Sequence, residues 1–186
     1  MYAMAIWAFY LDEKVGGHDL VQEIWELGWR HNSTYYDLWM PDLIEEAGLD
    51  FDEVYEGFLA TVVTADFADT AHFFQPVFRA EVDELPSAGS APSSNAPQSL
   101  GQNFIRFDSD AGVEGQALEV SFDGQDGVDW YAVLVRGQEN ILTEYVSIEL
   151  DENGVGTGQI NFPGDGDDVF LVVSPKDPAA VGIHYN

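Results

Sequence analysis

Fourteen residues from Pro86 to Ser99 hold three prolines and five serines and almost no side chain with apolar surface to bury. Such a segment cannot offset the entropy lost on ordering, so it predicts a solvated linker. The hydrophobic pattern also changes across it, from helical spacing before to strand-like alternation after. The expectation is an α+β chain of two modules. A small α-helical bundle would occupy 1–85, the linker 86–99, and an antiparallel β-sandwich of about seven strands 100–186.

In the first part, Tyr2 to Leu11 is apolar on all sides, which suits a helix enclosed by others and stopped by Gly16-Gly17. It carries no cap, and an uncapped buried helix at Met1 predicts that Met1 is an expression start within a longer polypeptide. The run is also too short to cross a bilayer, which takes about 20 apolar residues, and it lacks a basic residue before it. Neither a signal peptide nor a membrane span is expected. Asp19 with Gln22 reads as a cap for a second helix carrying Val21, Ile24 and Trp25, and a third is expected from Asp37 to Ala47. Asp50 and Glu53 form a capping box for a fourth, with Val54, Phe58, Leu59 and Val62 as its apolar stripe.

Seven short alternating runs follow the linker: 103–107, 117–122, 130–135, 145–150, 158–162, 169–173 and 182–185. Leu118, Val120 and Phe122 alternate with Glu119, Ser121 and Asp123, as on a strand with one wet face. Val169 to Val173 is apolar throughout, which marks a central strand covered on both sides.

Charge narrows the function classes. The chain has 34 acidic against 6 basic residues, a net charge of -28, and a nucleic-acid binder needs cations to replace phosphate counterions. Nucleic acid is therefore not an expected partner. The acid is spread evenly along the chain, as a surface property is, and solubility by self-repulsion accounts for it. No cysteine is present, so disulfides and thiolate metal sites are excluded.

Candidate sites are few. Trp7, Trp25, Trp29 and Trp39 read as core residues in preference to a ligand cage. His18, His31 and His72 lack the HExxH spacing that sets two imidazoles on one helix face for zinc. The Asp52-Glu53-Glu56 group is ordinary charge at a helix start. In the strand half, Trp130, Tyr131 and Tyr145 would make a sugar-stacking platform if they point outward. Asp123, Asp126, Asp151, Asn153, Asp165 and Asp167 stand in acidic turns. Closely spaced oxygens suit calcium, but Asp-Gly and Asn-Gly also serve tight turns, and the turn reading is preferred.

The order of parts resembles a known family. The segment from Tyr2 to Gly17, the Ile24-Trp25 helix, Leu43-Ile44 and Asp50-Phe51-Asp52-Glu53-Val54, then a Ser/Pro linker and Leu100-Gly101-Gln102-Asn103-Phe104-Ile105, resemble the region downstream of the zinc site in secreted bacterial metalloprotease-like proteins. The resemblance implies an extracellular or periplasmic location and an upstream catalytic domain of the same polypeptide holding the zinc. It implies helices that wall the substrate cleft and an accessory β-sandwich. It carries no catalytic residue to this chain. The alternatives are a free-standing extracellular module that binds glycan or protein, with structural calcium, and a hydrolase built on a carboxylate pair.

Overall fold

The computed structural model describes residues 2–31, 36–68, 77–90, 97, 100–108, 115–162, 166–176 and 185. Among the described residues the chain is α+β, with four α-helices, a mixed five-stranded sheet and a two-stranded sheet.

Helix α1 (Tyr2–Tyr10) runs into a π-helical turn (Leu11–Val15) that closes with Gly16 N–H donating to Leu11 O at 3.1 Å. Gly17, at a φ of 71°, then turns the chain directly into α2 (Gly17–His31). The helix therefore starts two residues before Asp19, and the expected cap is not one; Gln22 instead donates to Glu26 at 2.8 Å. Helix α3 spans Tyr36–Glu46. Helix α4 (Phe51–Thr64) begins where the capping box predicts, with Asp50 Oδ1 accepting from Glu53 N–H at 3.0 Å. Asp50→Ala should lower stability by about 1 kcal/mol, read as a lower urea midpoint at unchanged slope. An unchanged midpoint would mean that water satisfies the first turn equally well.

The strands are β1 (Phe78–Val82), β2 (Asn103–Phe107), β3 (Ala117–Asp123), β4 (Trp130–Gln138), β5 (Ile141–Ser147), β6 (Val155–Asn161) and β7 (Asp168–Pro175). The larger sheet has the order β1-β2-β7-β4-β5, and β3 pairs with β6. Strand β1 was not expected: it lies in the part read as helical, and it joins β2 in parallel, so the larger sheet is mixed and not antiparallel throughout. The Ser/Pro-rich segment thus connects two neighbouring strands. Of the run expected at 182–185, only Tyr185 is described, bridging to Gly124; the rest lies outside the described residues.

Alternation along β4 explains how the layers hold together. Tyr131, Val133 and Val135 turn to one face and join a cluster with Ile24, Leu43, Ile44, Phe58 and Leu59 of the helices. Trp130, Ala132 and Leu134 turn to the other and meet Leu118, Val120, Phe122 and Ile160 of the small sheet. Strand β7 does the same, with Phe170 and Val172 on the helix side and Val169, Leu171 and Val173 opposite. Burial on both faces is why that segment is apolar throughout. The tip of the β4–β5 hairpin is fastened to α4 as well, since Asn140 N–H donates to Thr64 O at 2.8 Å. Just before that tip, a Cβ on Gly137 would stand 2.3 Å from Ile141 O, so only glycine passes there.

Candidate functional site

A cleft of about 480 Å³ opens where the start of α4 meets the sheet. Its walls come from Asp52 and Glu56 of α4, the first residues of β4, residues 147–151 where the chain leaves β5, and Lys176 after β7. Asp52 and Glu56 are four residues apart, so they share the face of α4 turned to the sheet.

The polar groups here hold one another. Tyr131, buried at 2 % exposure, donates its hydroxyl to Asp52 Oδ1 at 2.5 Å. Lys176 Nζ pairs with Asp52 Oδ2 at 2.6 Å and stands 4.4 Å from the centroid of the Tyr131 ring. Ser147 donates its hydroxyl to Glu56 Oε2 at 2.5 Å. Helix α4 is in this way tied by side chains to β4, β5 and the end of β7.

Electrostatics follow from these bonds. Partial burial disfavours the Asp52 carboxylate, but the hydrogen bonds from Lys176 and Tyr131, with the lysine charge, outweigh it and hold Asp52 below the usual carboxylate range. Burial, then the bond to Asp52 and its charge, push the Tyr131 phenol well above the ordinary tyrosine value. A carboxylate held ionised by two donors is a poor general acid near neutral pH, and a phenol locked to it is a poor proton carrier.

The sign of the acid effect is definite. A carboxyl with a lowered pKa adds stability that is complete above its unfolded value, about 3.9, and is lost as pH falls below it. Protonation also relieves the repulsion of a chain at -28, so the comparison must be differential. Below about pH 4, wild type should lose more of its melting temperature than Asp52→Asn. Parallel acid limbs would mean that the Lys176 and Tyr131 bonds contribute nothing.

The expected ligand residues are not brought to one surface. Trp130 and Tyr131 are 4 % and 2 % exposed, because β4 is covered on both faces; they do not form an outward platform. Trp130 packs edge-on against Phe122 and Tyr185, and its indole N–H has no hydrogen-bond partner among the described residues. Tyr145 is 40 % exposed on β5, its hydroxyl lying over Gly57 of α4.

The acidic turn residues fall in two places. Asp123 ends β3 and Asp126 follows in the turn, next to the turn of Asp151 and Asn153, since Gly124 N–H donates to Gly154 O at 3.0 Å. Asp151 Oδ1 accepts from Asn153 and Val155 N–H, and these backbone bonds lower its pKa. Its carboxylate therefore shapes the turn. Asp167 lies elsewhere, accepting from Thr143 at 2.9 Å and facing Arg136 at 3.6 Å. Asp165 is outside the described residues. Among the described residues no three acidic or histidine side chains converge as a metal site would require.

Two features escaped the sequence. Asp52 and Glu56 looked like ordinary helix-start charge; their i, i+4 spacing beside the apolar stripe was the available signal. Trp25 and Trp29, read as core, are 63 % and 88 % exposed on α2, whereas Trp7 is buried as expected. The side chains of Trp39 and His31, and all of His72, lie outside the described residues.

No family model and no curated protein sequence matches this chain. Among solved structures it is similar to the pre-peptidase C-terminal domain of collagenase from Bacillus anthracis, at 14% identity and a TM-score of 0.42, over 60% of this chain and 95% of that one.

Proposed function

We propose that this chain is a noncatalytic accessory part of an exported metallopeptidase-like protein, acting outside the cytoplasm. Its helices would back the substrate cleft of an upstream catalytic domain of the same polypeptide, which would hold the zinc. Its two facing sheets, taken as a β-sandwich, would serve as accessory or docking module. One observation carries this reading: the carboxylates of the cleft are committed to fastening α4 to the sheet, Asp52 to Tyr131 and Lys176, Glu56 to Ser147. Side chains engaged in this way support position and rigidity and are not free for chemistry.

The test is to translate the genomic frame upstream of the Met1 codon. An in-frame domain with an HExxH helix and an export signal is the expected result. A stop codon closing the frame there would overturn the metallopeptidase reading.

The exposed Trp25 and Trp29 favour a second reading, a free-standing extracellular module that binds protein or glycan. Calcium would belong to it through the adjacent turns of Asp123, Asp126, Asp151 and Asn153. Since a ligand bound only by the folded state must raise the melting temperature, a midpoint indifferent to chelator and to added calcium would reject that part.

A further inference from the structure

We infer that the outer face of α2 is a docking surface for a basic, amphipathic polypeptide segment, with Trp25 and Trp29 as its anchors. The inference rests on the second reading above, a module that binds protein, and is independent of any peptidase.

Helix α2 buries Leu20, Ile24 and Leu27 against the other helices, and Trp25 and Trp29 fall on the side turned away. They are four residues apart, so their indoles are neighbours on one ridge. Two adjacent indoles, 63 % and 88 % exposed, are an unusual outlay on a face that needs only to be wet. Aromatic anchors of this kind dominate the energy of protein interfaces.

Charge decides the occupant. Glu23 and Glu26 are exposed on the same helix, and the chain as a whole stands at -28. Among the described residues Lys14 is bound to Asp66, Arg106 to Asp168, Arg136 to Glu144 and Lys176 to Asp52. A second copy would bring the same acidic surface and be repelled, and so would an anionic lipid surface. A partner with Lys or Arg gains from the carboxylates and from cation–π contact with the indoles.

Size points the same way. At this exposure the two indoles offer roughly 300 Å², well under the ~800 Å² per side of a standard protein interface. The fit is to a single helix or strand laid across α2, with apolar residues on the indoles and basic residues over Glu23 and Glu26.

The experiment titrates the whole chain with two synthetic peptides of equal length and charge, one with Leu at i, i+3, i+4 and i+7 spacing and Lys on the opposite helical face, and one with Ser in place of Leu. Trp25→Ser/Trp29→Ser, which leaves the charge unchanged, is run beside wild type after its melting temperature is shown to match. The expected result is binding of the Lys/Leu peptide at least about tenfold tighter than the Lys/Ser peptide, with a blue shift in tryptophan emission. Both should be lost in the double variant. Equal affinity for the two peptides, or undiminished binding by the variant, would overturn the inference in favour of charge attraction alone. A blue shift on neutral phosphatidylcholine vesicles without peptide discrimination would overturn it in favour of a lipid surface. The genomic test does not bear on any of these outcomes, so failure here leaves the peptidase reading where it stood.

Discussion

Leu59→Ala should remove roughly 2–5 kcal/mol of stability and lower a single unfolding transition seen identically by helix-sensitive and aromatic probes. Leu59 is fully buried on α4, in the cluster that contains Leu43 and Ile44 of α3 together with Val133 and Val172 of the sheet. Truncation leaves a cavity bordered by both kinds of element, and close-packed surroundings relax only in part. Phe122→Ala, 1 % exposed between the two sheets, should cost about 3–5 kcal/mol and move the same transition. Val155→Ala, on the exposed face of β6, should stay within about 0.5 kcal/mol and serves as control. Two separable transitions, with Leu59→Ala moving only the helical one, would mean that the helices and the sheet are independent modules joined by the Ser/Pro-rich segment.

The second large effect lies at alkaline pH. Tyr10, Tyr55 and Tyr131 are 6 %, 5 % and 2 % exposed. Burial is the main reason that all three phenols titrate above the ordinary value. At Tyr10 the charges of Tyr145 and Glu53 add to it, and at Tyr131 the bond to Asp52 does. A group whose folded pKa is raised contributes stability that is complete below its unfolded value, about 10, and is lost as pH rises above it. At pH 11 each such tyrosine should withdraw up to about 1.4 kcal/mol, or some 4 kcal/mol for the three. That is a large part of the stability of an ordinary domain. Alkaline unfolding should therefore begin above about pH 10, and the last tyrosines should ionise only together with loss of helix signal. Tyr131→Phe should make the alkaline limb shallower by up to about 1.4 kcal/mol at pH 11. Ionisation of all eight tyrosines with the circular dichroism unchanged would defeat the prediction.

Acid unfolding of Asp52→Asn and the urea midpoint of Asp50→Ala probe smaller effects on the same helix. Together they ask whether α4, capped at one end and bonded to the hairpin tip at the other, is the element on which the helical layer is hung.

How much of this was legible beforehand depended on distance along the chain. The Asp50–Glu53 cap involves residues three apart, and it was readable because the geometry of a first helical turn is the same in any protein. Leu118, Val120 and Phe122 were readable because a strand alternates its faces whatever it packs on. The continuous apolar run from Val169 to Val173 also announced its own double burial.

Period tells which residues share a face, but not what covers that face. Trp130 and Tyr131 point to opposite sides of β4, and only the presence of helices on one side and the small sheet on the other buries both. By the same logic Trp25 and Trp29 have the spacing of core residues, and only the absence of a neighbour among the described residues leaves them in solvent. Strand β1 depends on a partner that follows the Ser/Pro-rich segment, and the Asp52–Tyr131–Lys176 cluster joins positions 79 and 124 residues apart. Local geometry is a property of the nearest few side chains, so the amino-acid order alone determined the helices, the Asp50 cap and the two-faced strands. Coverage and convergence are properties of distant segments meeting, and only the tertiary structure decided the buried aromatic residues, the exposed tryptophan ridge and the bonded carboxylates of the cleft.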